Sequence, residues 1–117
     1  MNEYNPDKFT LLEITLDGER PFYKVFGTWA SSYLYGDSWR MNSGIERAVI
    51  NSETISFIGG SGSTYNCNIP SEGITGASGR GTLQGLLDRY KDQIKVVTLQ
   101  ECIDNMYFPI ERVKEDD

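Results

Sequence analysis

The chain contains no histidine. That removes the commonest general acid–base group, the Ser–His and Cys–His nucleophile pairs, and every zinc site that uses imidazole. There are two cysteines, Cys67 and Cys102, too far apart in sequence to form a zinc-ligand pattern. With no export signal in view, they are expected to be reduced, half-buried thiols. No apolar run approaches the roughly 20 residues of a membrane helix. The opening "MNEYNPDKF" lacks the basic patch and apolar run of a signal peptide, so a cytoplasmic protein with no membrane partner is expected.

Basic residues are also scarce: 11 against 17 acidic ones in 117 residues, a net charge of −6. Such a chain repels duplex nucleic acid at long range, which disfavours a DNA- or RNA-binding role. The acids are scattered except at the end, "ERVKEDD", where residues 114–117 read as a solvated, disordered tail. Nucleotide motifs are missing too. "GSGSTYNC" has no Lys-Ser/Thr ending for a phosphate-binding P-loop, and "GASGRG" has the wrong spacing. "GGSGST" comes near the dinucleotide-binding glycine pattern but leads into a strand, not a helix start. No cofactor is implied, and no carboxylate pair stands out for catalysis.

What the chain does have is ordered in two halves. "FTLLEITL" (9–16), the turn signal "DGERP" and "FYKVFGTWA" (22–30) predict a hairpin. Residues 31–44 are irregular; 45–51 and 54–58 read as two short strands. "STYNCNI" (63–69) reads as a fifth strand after a glycine turn at Gly59, Gly60 and Gly62. Residues 70–81 show no periodicity. Leu83, Leu86, Leu87 and Tyr90 then share one helix face, with Thr82 as the expected N-cap. "IKVVTL" (94–99) is strand-like, and Thr98 and Glu101 stand at capping-box spacing before a second helix. Strands followed by helices predict a single α+β domain over 1–117. Its antiparallel sheet has about five to six strands, with both helices of the C-terminal half packed on one side.

Two features carry candidate binding chemistry. "WASSYLYGDSW" packs four aromatics into residues 29–39, and Arg40 follows directly. Aromatic faces stack nucleobases. Trp29 falls in an alternating strand and is expected in the core, whereas Tyr33, Tyr35 and Trp39 sit among Gly, Ser and Asp and are candidate stacking groups. Phe57 to Gly81 holds seven of the twelve glycines. Over 73–81 they would allow a nest of backbone N–H groups that binds an anion, with Arg80 projecting from it and Thr82 at a helix start. Ser71, Gly76 and Ser78 complete the candidate phosphate set. Together these groups fit a small phosphorylated, base-containing ligand. A metal-dependent phosphodiesterase built on Asp37, Asp88 and Asp92 is a further reading.

The stretch "YKVFGTWASSYLYGDSWRMNSGI", with "GGSGSTYNC" and "SEGITG" downstream, resembles the anti-CBASS sponges of tailed phages, over about Tyr23 to Gly81. The resemblance implies a non-enzymatic immune-evasion protein of the host cytoplasm. It would sequester a cyclic dinucleotide such as cyclic GMP–AMP without cleaving it, as a homo-oligomer (a tetramer, by the family pattern) with ligands held between subunits. A sponge for a TIR-derived nucleotide is a close variant. An acidic protein–protein inhibitor of a host defence enzyme is the alternative from a different class.

Overall fold

The longest apolar stretches of the chain build its central hairpin. In the computed structural model, which describes residues 2–30 and 36–113, β2 (Lys8–Ile14) pairs antiparallel with β3 (Phe22–Trp29), from Lys8 opposite Thr28 to Ile14 opposite Phe22. Leu11 and Leu12 are both fully buried although they point to opposite faces, so this hairpin is covered on both sides.

Two shorter strands flank it. β4 (Ser38–Met41) lies along β3 and β8 (Ile94–Val97) along β2, which gives an antiparallel four-stranded sheet in the order β4-β3-β2-β8. A second sheet has five strands. Its centre is the meander of β5 (Ile45–Ile50), β6 (Thr54–Gly59) and β7 (Thr64–Asn68). Its edges are β1 (Glu3–Tyr4) and β9 (Ile110–Arg112), each joined in parallel. A one-turn 3-10 helix follows β7 at Ile69–Ser71; the two α-helices are α1 (Ala77–Arg89) and α2 (Leu99–Asn105).

The sheets face each other across the main core. Phe9, Leu11, Tyr23 and Val25 of the hairpin meet Ile55, Phe57, Tyr65 and Cys67 of the meander. The Phe9 and Phe57 rings lie 5.7 Å apart. Removing a Phe or Leu side chain of this kind from water is worth about 2 kcal/mol. The outer face of the four-stranded sheet carries a smaller cluster, Leu12 and Phe26 against Leu83 of α1.

The protein is therefore α+β with two helices and mostly antiparallel sheets, but three expectations are corrected. Nine strands in two sheets replace five to six in one, among the described residues. The helices do not share a side: α1 covers the outer face of the four-stranded sheet, while Leu99 and Cys102 of α2 belong to the core between the sheets. And α1 begins at Ala77 with Gly76 as its N-cap, so Thr82 is an interior helix residue, not the cap. The tail 114–117 lies outside the described residues. No helix among the described residues is long and apolar enough to cross a membrane.

Candidate ligand-binding site

The segment Asn5–Asp7 is laced across the end of β3. Asp7 donates its backbone N–H to Thr28 O at 3.0 Å. The Trp29 indole donates from Nε1 to Asn5 O at 3.1 Å, and Ala30 donates its N–H to Asp7 Oδ2 at 2.8 Å. Between them the buried Pro6 presses on Gly27, where a Cβ would sit 3.0 Å from Pro6 Cβ. A side chain at position 27 would lift the segment off the strand.

Tyr4 and Arg40 complete the arrangement. Tyr4 pairs in register with Tyr65 of the second sheet, their rings 5.0 Å apart. Arg40 stands opposite Gly27 on the neighbouring strand and places its guanidinium 4.5 Å over the Tyr4 ring. The result is a cleft of about 570 Å³ walled by Tyr4, Asp7, Trp29 and Arg40, with Ala30, Gly36, Ser38 and Trp39 also lining it. Ion pairs among the described residues join Arg47 to Glu111 and Lys95 to Glu13, so none of them neutralises Arg40. Its charge is felt inward: burial pushes the Tyr65 phenol up to about 12, and Arg40 pulls the other way.

Strand alternation separates Trp39 from its neighbour. Its ring lies flat on Phe26, centroids 5.3 Å apart and planes 7° from parallel, on the face that α1 covers. An edge of it remains exposed. Tyr33 and Tyr35 lie outside the described residues.

The glycines of 73–81 serve tertiary contacts. Gly73 donates its N–H to Phe9 O at 2.7 Å, and Thr10 returns a hydroxyl bond to Gly73 O, which ties the loop to β2. Gly76 starts α1 at φ 84°. There Asp37 Oδ2 accepts the Ser78 N–H at 2.6 Å, and a Cβ on Gly76 would fall 2.7 Å from the same oxygen. Gly79 rests on Thr28, where a Cβ would meet Cγ2 at 2.6 Å. Gly79, Arg80 and Gly81 are helical, so the expected nest of N–H groups does not form; the positive end of α1 holds a carboxylate of its own chain.

The sequence-derived candidates are thus divided. Trp39, Gly76 and Ser78 gather around Asp37 and Gly79 on the helix face, and Trp39 also reaches the cleft lining. Arg40 faces the cleft on the other side of the sheet. Arg80 projects exposed from α1, Thr82 is half-buried within it, and Ser71 closes the 3-10 helix; none of the three lines the cleft. Sequence reading missed Tyr4 and Asp7 and assigned Trp29 to the core. The Asn-Pro step at 5–6, a chain-reversal signal, was the local hint.

Other reactive groups are placed structurally. Tyr23 donates its hydroxyl to Glu13 Oε2 at 2.7 Å, and desolvation, followed by that bond, raises its phenol well above the ordinary range. Cys67 and Cys102 are buried and unpaired; desolvation pushes both thiols up to about 12. Asp37 and Asp88 stand at opposite ends of α1, roughly 15 Å apart along its axis. No group of three or more metal-ligating side chains converges among the described residues. The carboxylates of the phosphodiesterase reading therefore do not form one site.

Comparison of the chain with protein-family models, with curated proteins and with solved structures finds no match in any of the three.

Proposed function

We propose that this protein binds and sequesters a small phosphorylated, base-containing ligand of the cyclic dinucleotide class, without cleaving it, in the cleft between Tyr4, Trp29 and Arg40. The observation that carries the reading is the Arg40 guanidinium, held over the Tyr4 ring and in no ion pair among the described residues. A guanidinium in such a position meets a phosphate with paired N–H donors. The neighbouring aromatic groups supply stacking, worth about 1–3 kcal/mol per base.

The resemblance to phage sponges points to the same ligand class. It also brings the expectations of a homo-oligomer, a tetramer by the pattern of that family, and of action in the host cytoplasm. Of the two arginines that the sequence offers for the phosphate, Arg40 and Arg80, the cleft favours Arg40. A sponge needs affinity rather than turnover: silencing a micromolar signal calls for a dissociation constant near 1 nM, about −12 kcal/mol.

Calorimetry of the protein against cyclic GMP–AMP, with chromatography of the recovered ligand, tests this. Tight binding and intact ligand are expected. Recovery of cleaved ligand would replace the sponge by a phosphodiesterase. Absence of heat would sink the nucleotide reading and turn the search to a protein partner.

A further inference from the structure

The cleft contains a carboxylate as well as a guanidinium, and a carboxylate is an odd neighbour for an anionic ligand unless it faces another part of it. Asp7 is held in place from two directions, by its own N–H on Thr28 O and by the Ala30 N–H on Oδ2. Oδ1 has no partner among the described residues, and Asp7 is exposed to the cleft it lines. An ionised carboxylate accepts hydrogen bonds and donates none. The base edge that matches it must present adjacent donors. Guanine does so, with N1–H beside its 2-amino group. Adenine offers its 6-amino donor beside the N1 lone pair, which a carboxylate oxygen repels.

The geometry points to Asp7 as the residue that selects a guanine base in this cleft over an adenine, a specificity that rests on the nucleotide reading above. Phosphate and base are then recognised by groups of opposite charge, Arg40 and Asp7. The presence of Arg40 disfavours the other partner a carboxylate ringed by aromatics would suit, a simple organic cation.

The test is calorimetry with cyclic di-GMP, cyclic di-AMP and cyclic di-IMP, on the natural protein and on Asp7→Asn. Asparagine keeps an oxygen for the Ala30 N–H but puts an amide donor in place of the second oxygen. That pattern clashes with the paired N1–H and 2-amino donors of guanine and complements the N1 and 6-amino groups of adenine. Cyclic di-GMP should bind at least about tenfold tighter than cyclic di-AMP, with cyclic di-IMP, which lacks the 2-amino group, in between. Asp7→Asn should weaken cyclic di-GMP and tighten cyclic di-AMP, an exchange that mere loss of structure cannot produce. Equal binding of the guanine and adenine ligands overturns the assignment while leaving the nucleotide reading intact. So does a preference that Asp7→Asn does not alter. Should the variant not fold, the order of the three ligands on the natural protein still decides. Binding of none of the three, nor of cyclic GMP–AMP, removes the nucleotide reading and this one with it.

Discussion

Asp37 accepts the backbone N–H of Ser78 at 2.6 Å and so caps α1 across 41 positions of sequence. A helix start leaves N–H groups without partners, and the Gly76 N-cap has no side chain to supply one. Asp37 does so from β4's approach, and its charge suits the positive helix end. Asp37→Ala is expected to cost about 1 kcal/mol, the usual loss for a capping side chain. A urea titration should show a lower midpoint with an unchanged slope. An unchanged midpoint would mean that solvent caps the helix as well as Asp37 does.

Three helical glycines should respond to alanine with opposite signs. Glycine inside a helix costs about 0.5–1 kcal/mol relative to alanine, so each is a standing destabilisation. At Gly81 and Gly85 an added Cβ meets nothing within 4 Å, and both replacements should raise stability by that amount. At Gly79 the Cβ would fall 2.6 Å from Thr28 Cγ2, on a buried β-branched residue of β3. Overpacking of that kind typically costs about 1–3 kcal/mol, roughly twice the gain in propensity, so Gly79→Ala should lower the melting temperature. A stabilised Gly79→Ala would mean that α1 rides freely on the sheet.

The same contacts explain which elements are legible in the chain and which are not. The β2–β3 hairpin is legible because its apolar runs are long and its turn is marked at Gly18, which takes φ 77°. The capping box of α2 is legible because its partners are three residues apart: Glu101 donates its N–H to Thr98 Oγ1 at 3.0 Å, and Glu101 Oε1 accepts from the Thr98 N–H. The strands β1, β4 and β9 have two, four and three residues. Strands that short carry no periodicity of their own and exist because a longer partner supplies the register. The start of α1 is hidden for a related reason. Gly76, Gly79 and Gly81 argue locally against a helix, and the contacts with Asp37 and Thr28 that favour one are distant in sequence. The cleft itself brings Tyr4 of one sheet and Asp7 of the segment after it up to Arg40 of the other sheet, so its composition cannot be read from any one segment. Arg40 is a cleft residue as its sequence context suggests, and its aromatic partner among the described residues is Tyr4, far from it in sequence.

Alkali should unfold the protein in a window set by its buried thiols. Cys67 and Cys102 rise from the ordinary 9.0 to about 12, because burial disfavours the thiolate; Tyr65 rises from 10.0 to about 12 for the same main reason. The folded chain keeps protons that the unfolded chain releases, so stability is full below about pH 9 and falls as pH climbs from there toward about 12. Denaturant midpoints measured at about pH 8 and about pH 10.5 should differ in that direction, and Cys67→Ala should flatten the dependence. At about pH 8 a thiol-reactive dye should label neither cysteine until denaturant is added. Rapid labelling of the native protein would contradict the burial of both.

Two arginines separate the cleft from the helix as the place where ligand binds. Arg40 stacks over Tyr4 inside the cleft, whereas Arg80 projects exposed from the first turns of α1, where Asp37 already meets the helix N–H groups. A phosphate at the helix start would have to displace that carboxylate. A phosphate in the cleft meets a guanidinium that forms no ion pair among the described residues, so it breaks no existing charge pair there. Arg40→Ala should therefore weaken cyclic GMP–AMP binding at least about tenfold, or about 1.4 kcal/mol, while Arg80→Ala leaves it within about twofold. Arg40→Lys keeps the charge but loses the planar fork, and should recover only part of the affinity. Because Arg40 is exposed and its described contact is the cation–π stack on Tyr4, none of these variants should shift stability by more than about 1 kcal/mol. The opposite pattern, loss at Arg80 with Arg40 silent, would move the site to the start of α1 and return Ser78 and Gly76 to the ligand.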